Sequence, residues 1–283
     1  MLNNDERIEI AFVALRNKMP DQQLQRLAKD AGMYCTSSGN INSPEFLDWA
    51  RNQSCDLFVS MSFDQIFKRQ TIDTPGLGTI NCHAGKLPFY RGRNVLNWAL
   101  INDEPEFGIT VHYVDESIDT GDIILQRAYP ITDDDNYATL LETAYTECPR
   151  LLHQAVDLIL QDRVQPVRQS MIHPVGMYCP ARGPGDEILD WNQTSREIFN
   201  FVRAICEPGP MARTWLVDEE ICINEVQLVP QAPIYMGIPG AVLFVQDKIP
   251  FVKTRDSMIG INDYRKQGRR LRAGDRLCGK RQA

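Results

Sequence analysis

Nowhere in these 283 residues does an apolar run approach the roughly 18 residues that cross a bilayer. No membrane partner is therefore expected. The eight cysteines never form a C-x-x-C pair and never alternate with histidine at ligand spacing. That pattern excludes a zinc ribbon and fits reduced thiols in the cytoplasm, and no metal is expected. Positive charge is not in excess. Lys and Arg total 30 against 37 Asp and Glu, a net charge of −7, which argues against a general nucleic-acid binder. Internal repeats and low-complexity stretches are absent. The opening residues, Met-Leu-Asn-Asn-Asp-Glu-Arg, are polar and acidic and lack the apolar centre of a signal peptide. What remains is ordinary globular composition, 43 % hydrophobic and 24 % charged, with room for one large domain or two small ones.

Strand and helix patterns alternate along the first half of the chain. Residues 8–15, 34–36, 56–61, 79–83, 108–114 and 122–126 read as strands. Residues 21–31, 43–50, 94–101 and 136–160 carry apolar side chains at helical spacing, with Ser43-Pro44 as a cap and first turn and Pro149 as a kink in the longest. Such alternation predicts an α/β fold with a mostly parallel sheet covered on both faces. Pro174, Pro180, Gly183, Pro184 and Gly185 punctuate a linker. Beyond it come a helix at 195–205 and short strands at 212–217, 220–229, 240–245 and 251–253, a small β-rich unit resembling an open barrel. The domains expected are residues 1–165, a linker at 166–186, and residues 187–283.

Asn81-Cys82-His83 is the most informative triplet. On a strand, residues two apart emerge from one face, so Asn81 and His83 point together and Cys82 points away as a buried small residue. The next eleven residues have the glycines and proline of a loop, and Asp119-Thr120-Gly121-Asp122 follows a later strand. An amide, an imidazole and a carboxylate meeting at a strand end suit acyl transfer to an amine: a base takes the amine proton and a donor steadies the oxyanion. Asp122, the rival carboxylate, reads as a turn cap. His112, within a strand pattern, reads as a structural histidine bonded to its surroundings.

Asn81-Cys-His83, Leu87-Pro88-Phe-Tyr-Arg-Gly92 and Asp119-Thr-Gly121 stand in the order and spacing of the folate-dependent formyltransferases, which this chain resembles over most of its length. The variant running from His83-Ala-Gly-Lys86 to Arg93-Asn94 is similar to the branch that formylates nucleotide-linked amino sugars. Ile188-Leu-Asp190-Trp191 and Phe201-Val-Arg203-Ala204 resemble the family's hinge and C-terminal module. The resemblance implies a Rossmann-like domain, N10-formyltetrahydrofolate as co-substrate, and Asn81, His83 and Asp119 as catalytic residues. It places the pterin on the loop of Met61, Ser62, Phe63, Gln65 and Ile66, largely through backbone groups, with further contacts from Asp115 and its loop. One departure stands out. The family's sheet opens with a strand and helix that have no counterpart here, and residues 1–6 resemble only the tail of that helix. A doubly wound sheet places its first strand centrally, so its neighbours are expected to be unpaired or the sheet rebuilt.

The expected reaction is formyl transfer from N10-formyltetrahydrofolate to the amine of a nucleotide-linked amino-dideoxy sugar, feeding polysaccharide biosynthesis. In that reading Lys86, Arg91, Arg93 and Asn94 meet the pyrophosphate and sugar and Tyr90 lines the sugar pocket; Asp119 raises the pKa of His83 and favours the imidazolium. Formylation of initiator methionyl-tRNA, hydrolysis of the formyl donor, and a non-catalytic binding protein are the rivals. The basic run from Arg265 to Lys280 favours the tRNA reading, although aromatic partners for bases are nearly absent from it. Apolar residues of the second domain could serve a homodimer.

Overall fold

The computed structural model describes residues 1–279, so Lys280, counted in the basic run, lies outside the described residues. In chain order the elements are β1 (Phe12–Leu15), α1 (Gln22–Asp30), β2 (Tyr34–Ser37), α2 (Pro44–Asn52), β3 (Phe58–Met61), α3 (Arg69–Ile72), β4 (Thr79–His83), β5 (Arg91–Gly92), α4 (Val95–Ile101), β6 (Glu106–Tyr113), β7 (Ile123–Pro130), α5 (Tyr137–Leu160), α6 (Gln169–Ile172), β8 (Tyr178–Cys179), α7 (Ser195–Ile205), β9 (Ala212–Leu216), β10 (Glu219–Leu228), β11 (Val242–Gln246), β12 (Ile249–Lys253), β13 (Met258–Arg265) and β14 (Leu277–Cys278). They form two compact units. One comprises Met1–Gly92, Gly108–Tyr129 and Ala144–Cys179; the other comprises Arg93–Phe107, Pro130–Thr143 and the chain from Pro180 onward.

Helix starts follow local chemistry. Asp21 caps α1 by accepting from the backbone N–H groups of Gln23 and Leu24, and Ser43 caps α2 ahead of Pro44. In α5, Leu140, Ala144, Leu151, Leu152 and Ala155 are buried, and Pro149 lies inside the helix. In the first unit β3, β4, β6 and β7 form one sheet in that order; β3–β4 is parallel and β4–β6 antiparallel. β1 and β2 pair in parallel as a separate ribbon. Among the described residues, β1 has no strand partner but β2 and β3 none but β4, so the sheet is split where the resemblance left a strand without counterpart. Phe12 of β1 meets Phe58 of β3 edge-on at 5.9 Å, and Trp49 of α2 at 4.8 Å. The residues before the ribbon form a single 3₁₀ turn, Leu2–Asn4; Asp5 then accepts from His153 of α5, and Arg7 from the same segment donates to Asp157.

The second unit holds a six-stranded sheet ordered β11-β12-β13-β10-β9-β14. An antiparallel bridge between Ala241 and Arg276 joins its two ends, with Val242 N–H donating to the Asp275 carbonyl. The sheet therefore curls toward a small barrel. Helix α7 packs on it, burying Ile198, Phe199, Val202 and Ile205. Its start is a capping box: Thr194 Oγ1 accepts from Glu197 N–H and Glu197 accepts from Thr194 N–H.

Candidate active site

Register brings the site together. In the β3–β4 ladder Ser60 lies opposite Asn81 and Met61 opposite Cys82. On the other side of β4, Asn81 lies opposite His112 of β6. Asn81 and His83 share one face by alternation. Cys82 is buried on the other, its thiol donating weakly to the Cys148 carbonyl at 3.6 Å. The neighbouring Cys148 side chain and burial push the Cys82 thiol far upward, so it is no nucleophile.

His83 is almost enclosed. Its Nε2–H donates to the Tyr90 carbonyl at 2.7 Å, and since a carbonyl only accepts, the lone pair of the neutral ring sits on Nδ1. Nδ1 is 3.7 Å from Asp119 Oδ2. Burial lowers the pKa of His83 below the ordinary 6.5, outweighing the upward pull of Asp119 and of the Tyr90 carbonyl. The ring is thus neutral near pH 7: Asp119 does pull the pKa upward as expected, but burial outweighs it, so the imidazolium is not the resting form. The loop is shaped around this ring: a Cβ on Gly85 would stand 2.4 Å from His83 Nε2 and 2.5 Å from the Tyr90 carbonyl.

Asp119 lies in the turn between β6 and β7 with φ of +54°. Its Oδ2 accepts from Gly92 N–H at 2.8 Å, while Oδ1 lies 3.5 Å from His112 Nε2 and 3.4 Å from Asn81 Nδ2. Burial works against the charge, but His112, His83 and the Gly92 N–H together outweigh it and hold the carboxyl at about 2. Gly121 permits the tight turn, because a Cβ there would overlap the Tyr113 carbonyl at 1.8 Å. His112 belongs to this cluster, a position the strand pattern alone did not disclose. Its Nδ1–H donates to the Tyr113 carbonyl at 2.7 Å, leaving Nε2 to accept from Asn81 at 3.3 Å. The signal that could have found it is its register opposite Asn81.

The other expected contacts separate. Arg91 is buried and its guanidinium is spent inside the protein: Nε and Nη2 donate to Gln169 Oε1 at 3.0 and 2.7 Å, and Nη1 to the Val175 carbonyl and the Tyr178 hydroxyl. A phosphate contact for Arg91 is therefore corrected; the guanidinium is buried and turned inward onto protein acceptors. Tyr90 is also buried, with its carbonyl on His83. Lys86 lays its stem against Gly108, where a Cβ would stand 2.7 Å away. Arg93 is exposed; Asn94 starts α4, accepting from Arg182 N–H. Both belong to the second unit. Along the loop after β3, Met61, Ser62 and Ile66 are exposed. Phe63 packs on Phe67 and the Ile41–Phe46–Ala50 cluster, and Gln65 accepts from Ile41 N–H while donating to the Ser38 carbonyl. Asp115 is engaged by Ser117 N–H and Thr120 Oγ1. Among the described residues no group of three His, Cys, Asp or Glu is placed to hold a metal, and no helix is long and apolar enough to cross a membrane.

Residues 5–156 match the family described as formyl transferase, and residues 183–281 match the formyl transferase C-terminal domain. The chain belongs to the formyl transferase family. This formyltransferase is an enzyme of one-carbon group transfer, with a Rossmann-like N-terminal part and a β-rich C-terminal one. It is 34 % identical over 240 residues to a methionyl-tRNA formyltransferase of Pelotomaculum thermopropionicum, covering 84 % of this chain and 75 % of that one. Among solved structures it is similar to HypX from Aquifex aeolicus in complex with tetrahydrofolic acid, with TM-score 0.61 and 20 % identity over 91 % of this chain; it spans 44 % of HypX. It is also similar to an N-formyltransferase from Helicobacter canadensis in complex with folinic acid and dTDP-3-aminofucose, with TM-score 0.59 and 19 % identity, covering 94 % of this chain and 100 % of that one.

Proposed function

We propose that this formyltransferase moves a formyl group from N10-formyltetrahydrofolate to the amine of a nucleotide-linked amino sugar. The observation that carries the chemistry is the convergence of Asn81, neutral His83 and ionised Asp119 within 3.7 Å steps. The amine attacks the formyl carbon; its proton passes to His83, where Asp119 stabilises the charge; N10 of the departing folate takes a proton as the C–N bond breaks. Asn81 holds its two acceptors loosely, at 3.3 and 3.4 Å, and can exchange one for the developing oxyanion. The donor's pterin fits the loop after β3, which starts beside Cys82 in register. That loop carries exposed Met61 and Ile66 and a buried Asp64 Oδ1 without a hydrogen-bond partner. Such a set suits a flat heterocycle with N–H donors on its edge.

For the acceptor, the ion pairing of the basic run supports a small molecule over a tRNA. Arg265 pairs with Glu207, Lys266 with Glu219, and Arg269 and Arg272 with Asp275. Carboxylates beside four of the run's cations weaken the pull of that face on phosphates. The second reading, formylation of initiator methionyl-tRNA, is favoured by the relatives of similar sequence. The test is turnover of formyltetrahydrofolate with a panel of nucleotide amino sugars and with initiator methionyl-tRNA, in wild type, His83→Ala and Asn81→Ala. The proposal expects sugar turnover and a loss of roughly 100-fold or more in kcat for Asn81→Ala. Equal rates in all three proteins refute the site. Formylation of tRNA alone, with affinity falling by orders of magnitude between about 50 and 200 mM salt, establishes the second reading.

A further inference from the structure

Gln169, the first residue of α6, is 2 % exposed and uses every hydrogen-bonding valence of its amide. Oε1 accepts twice from Arg91; Nε2 donates to the Asp119 carbonyl and to the Gly121 carbonyl, both at 2.8 Å. Arg91 is the covalent neighbour of Gly92, whose N–H holds the Asp119 carboxylate. A closed ring results: Asp119 carboxylate to Gly92 N–H, along the chain to Arg91, through its guanidinium to Gln169, and back to the Asp119 backbone. Pairing of Arg91–Gly92 with Tyr178–Cys179 anchors one side of the ring. The other side is the left-handed turn at Asp119, a conformation disfavoured for a non-glycine residue.

We propose that Gln169, backed by Arg91, is a positioning residue that fixes the Asp119 carboxylate against His83 and Asn81. The proposal rests on the reading of Asp119 as the partner of His83. The chemistry singles out glutamine. Glutamate still accepts from Arg91 but sets carboxylate oxygens against two carbonyls; asparagine is one carbon short; leucine abolishes all four bonds. The remaining supports of the turn, Gly92 N–H and the flanking strands, keep the chain folded but leave the carboxylate free to swing.

The test uses the full chain and two readouts. The first needs no substrate: the His83 imidazole resonance, assigned with His83→Gln, is titrated by NMR in wild type, Gln169→Leu, Gln169→Glu and Asp119→Asn. The titratable groups facing His83 are Asp119 and His112, so displacing the carboxylate removes the upward pull on the ring. Gln169→Leu is expected to lower the His83 midpoint in the direction of Asp119→Asn, with Gln169→Glu between it and wild type. The second readout is kcat and KM for formyltetrahydrofolate with the acceptor that wild type turns over. Gln169→Leu should lose roughly 10- to 100-fold in kcat with KM nearly unchanged. A folded Gln169→Leu protein whose His83 titrates as wild type overturns the proposal. If that variant does not fold, Gln169→Glu and Arg91→Lys decide it by the same titration. Undiminished turnover in Asp119→Asn defeats the reading of the site, whereas a shifted His83 midpoint without turnover on any amine leaves the brace standing and sinks only the acceptor assignment.

Discussion

At the scale of single residues the site is governed by burial acting against charge. His83 is depressed below 6.5 and Asp119 is held at about 2 against an ordinary 3.8, so both bind fewer protons folded than unfolded at mildly acidic pH. Folded stability therefore rises with pH through the window below 6.5 for His83 and from about 2 to 3.8 for Asp119. The Asp119 contribution, about 2 kcal/mol by linkage, is complete above 3.8 and vanishes below about 2; urea titrations of wild type and Asp119→Asn from about pH 1.5 to 5 measure it. The same argument sets the pH–rate profile. Protonation of His83 removes the base, so the acid limb of kcat/KM should lie below 6.5 and move lower still in Asp119→Asn. Gly85→Ala drives a methyl into the His83 ring and should break its bond to Tyr90, lowering kcat by about tenfold or more while the protein still unfolds cooperatively in a thermal melt. Gly121→Ala meets a backbone carbonyl that cannot retreat and should destabilise by roughly 1–3 kcal/mol in thermal or denaturant unfolding.

Elements show which parts of this arrangement periodicity can reveal. β4 and its alternation were legible because Asn81, Cys82 and His83 follow the two-residue period without interruption. Helix α7 was legible because its apolar spacing has a clear polar start and stop. β5 and β8 were not, since a two-residue pairing leaves no period to read, and with them went the fate of Arg91 and the brace through Gln169. β13 was missed because Met-Ile-Gly-Ile-Asn-Asp-Tyr-Arg mixes apolar and polar residues beside a strand with irregular register at Glu225. The first strand was read four residues too long. Only Phe12–Leu15 pairs, and three of those four residues are half-buried, as befits a ribbon with one neighbour. A prediction belongs here: Thr194→Ala removes the capping box of α7 and should cost about 1 kcal/mol in thermal unfolding, while leaving kcat untouched.

For the whole molecule, the cut through the N-terminal sheet is the feature with the widest reach. Among the described residues β1 pairs with no strand but β2 and β3 with none but β4, and Val59 and Met61 of β3 stand exposed. Extended chain of any origin finds a ready template there. Colloidal behaviour is thus written into topology. Sedimentation velocity over a tenfold concentration range should reveal growing self-association, and Val59→Lys, a charge planted on the open edge, should suppress it. The separation of the two sheets is a weak seam: hydrogen exchange should begin in the β1–β2 ribbon well before it reaches β4 and β6, so the chemistry outlives the first opening of the fold.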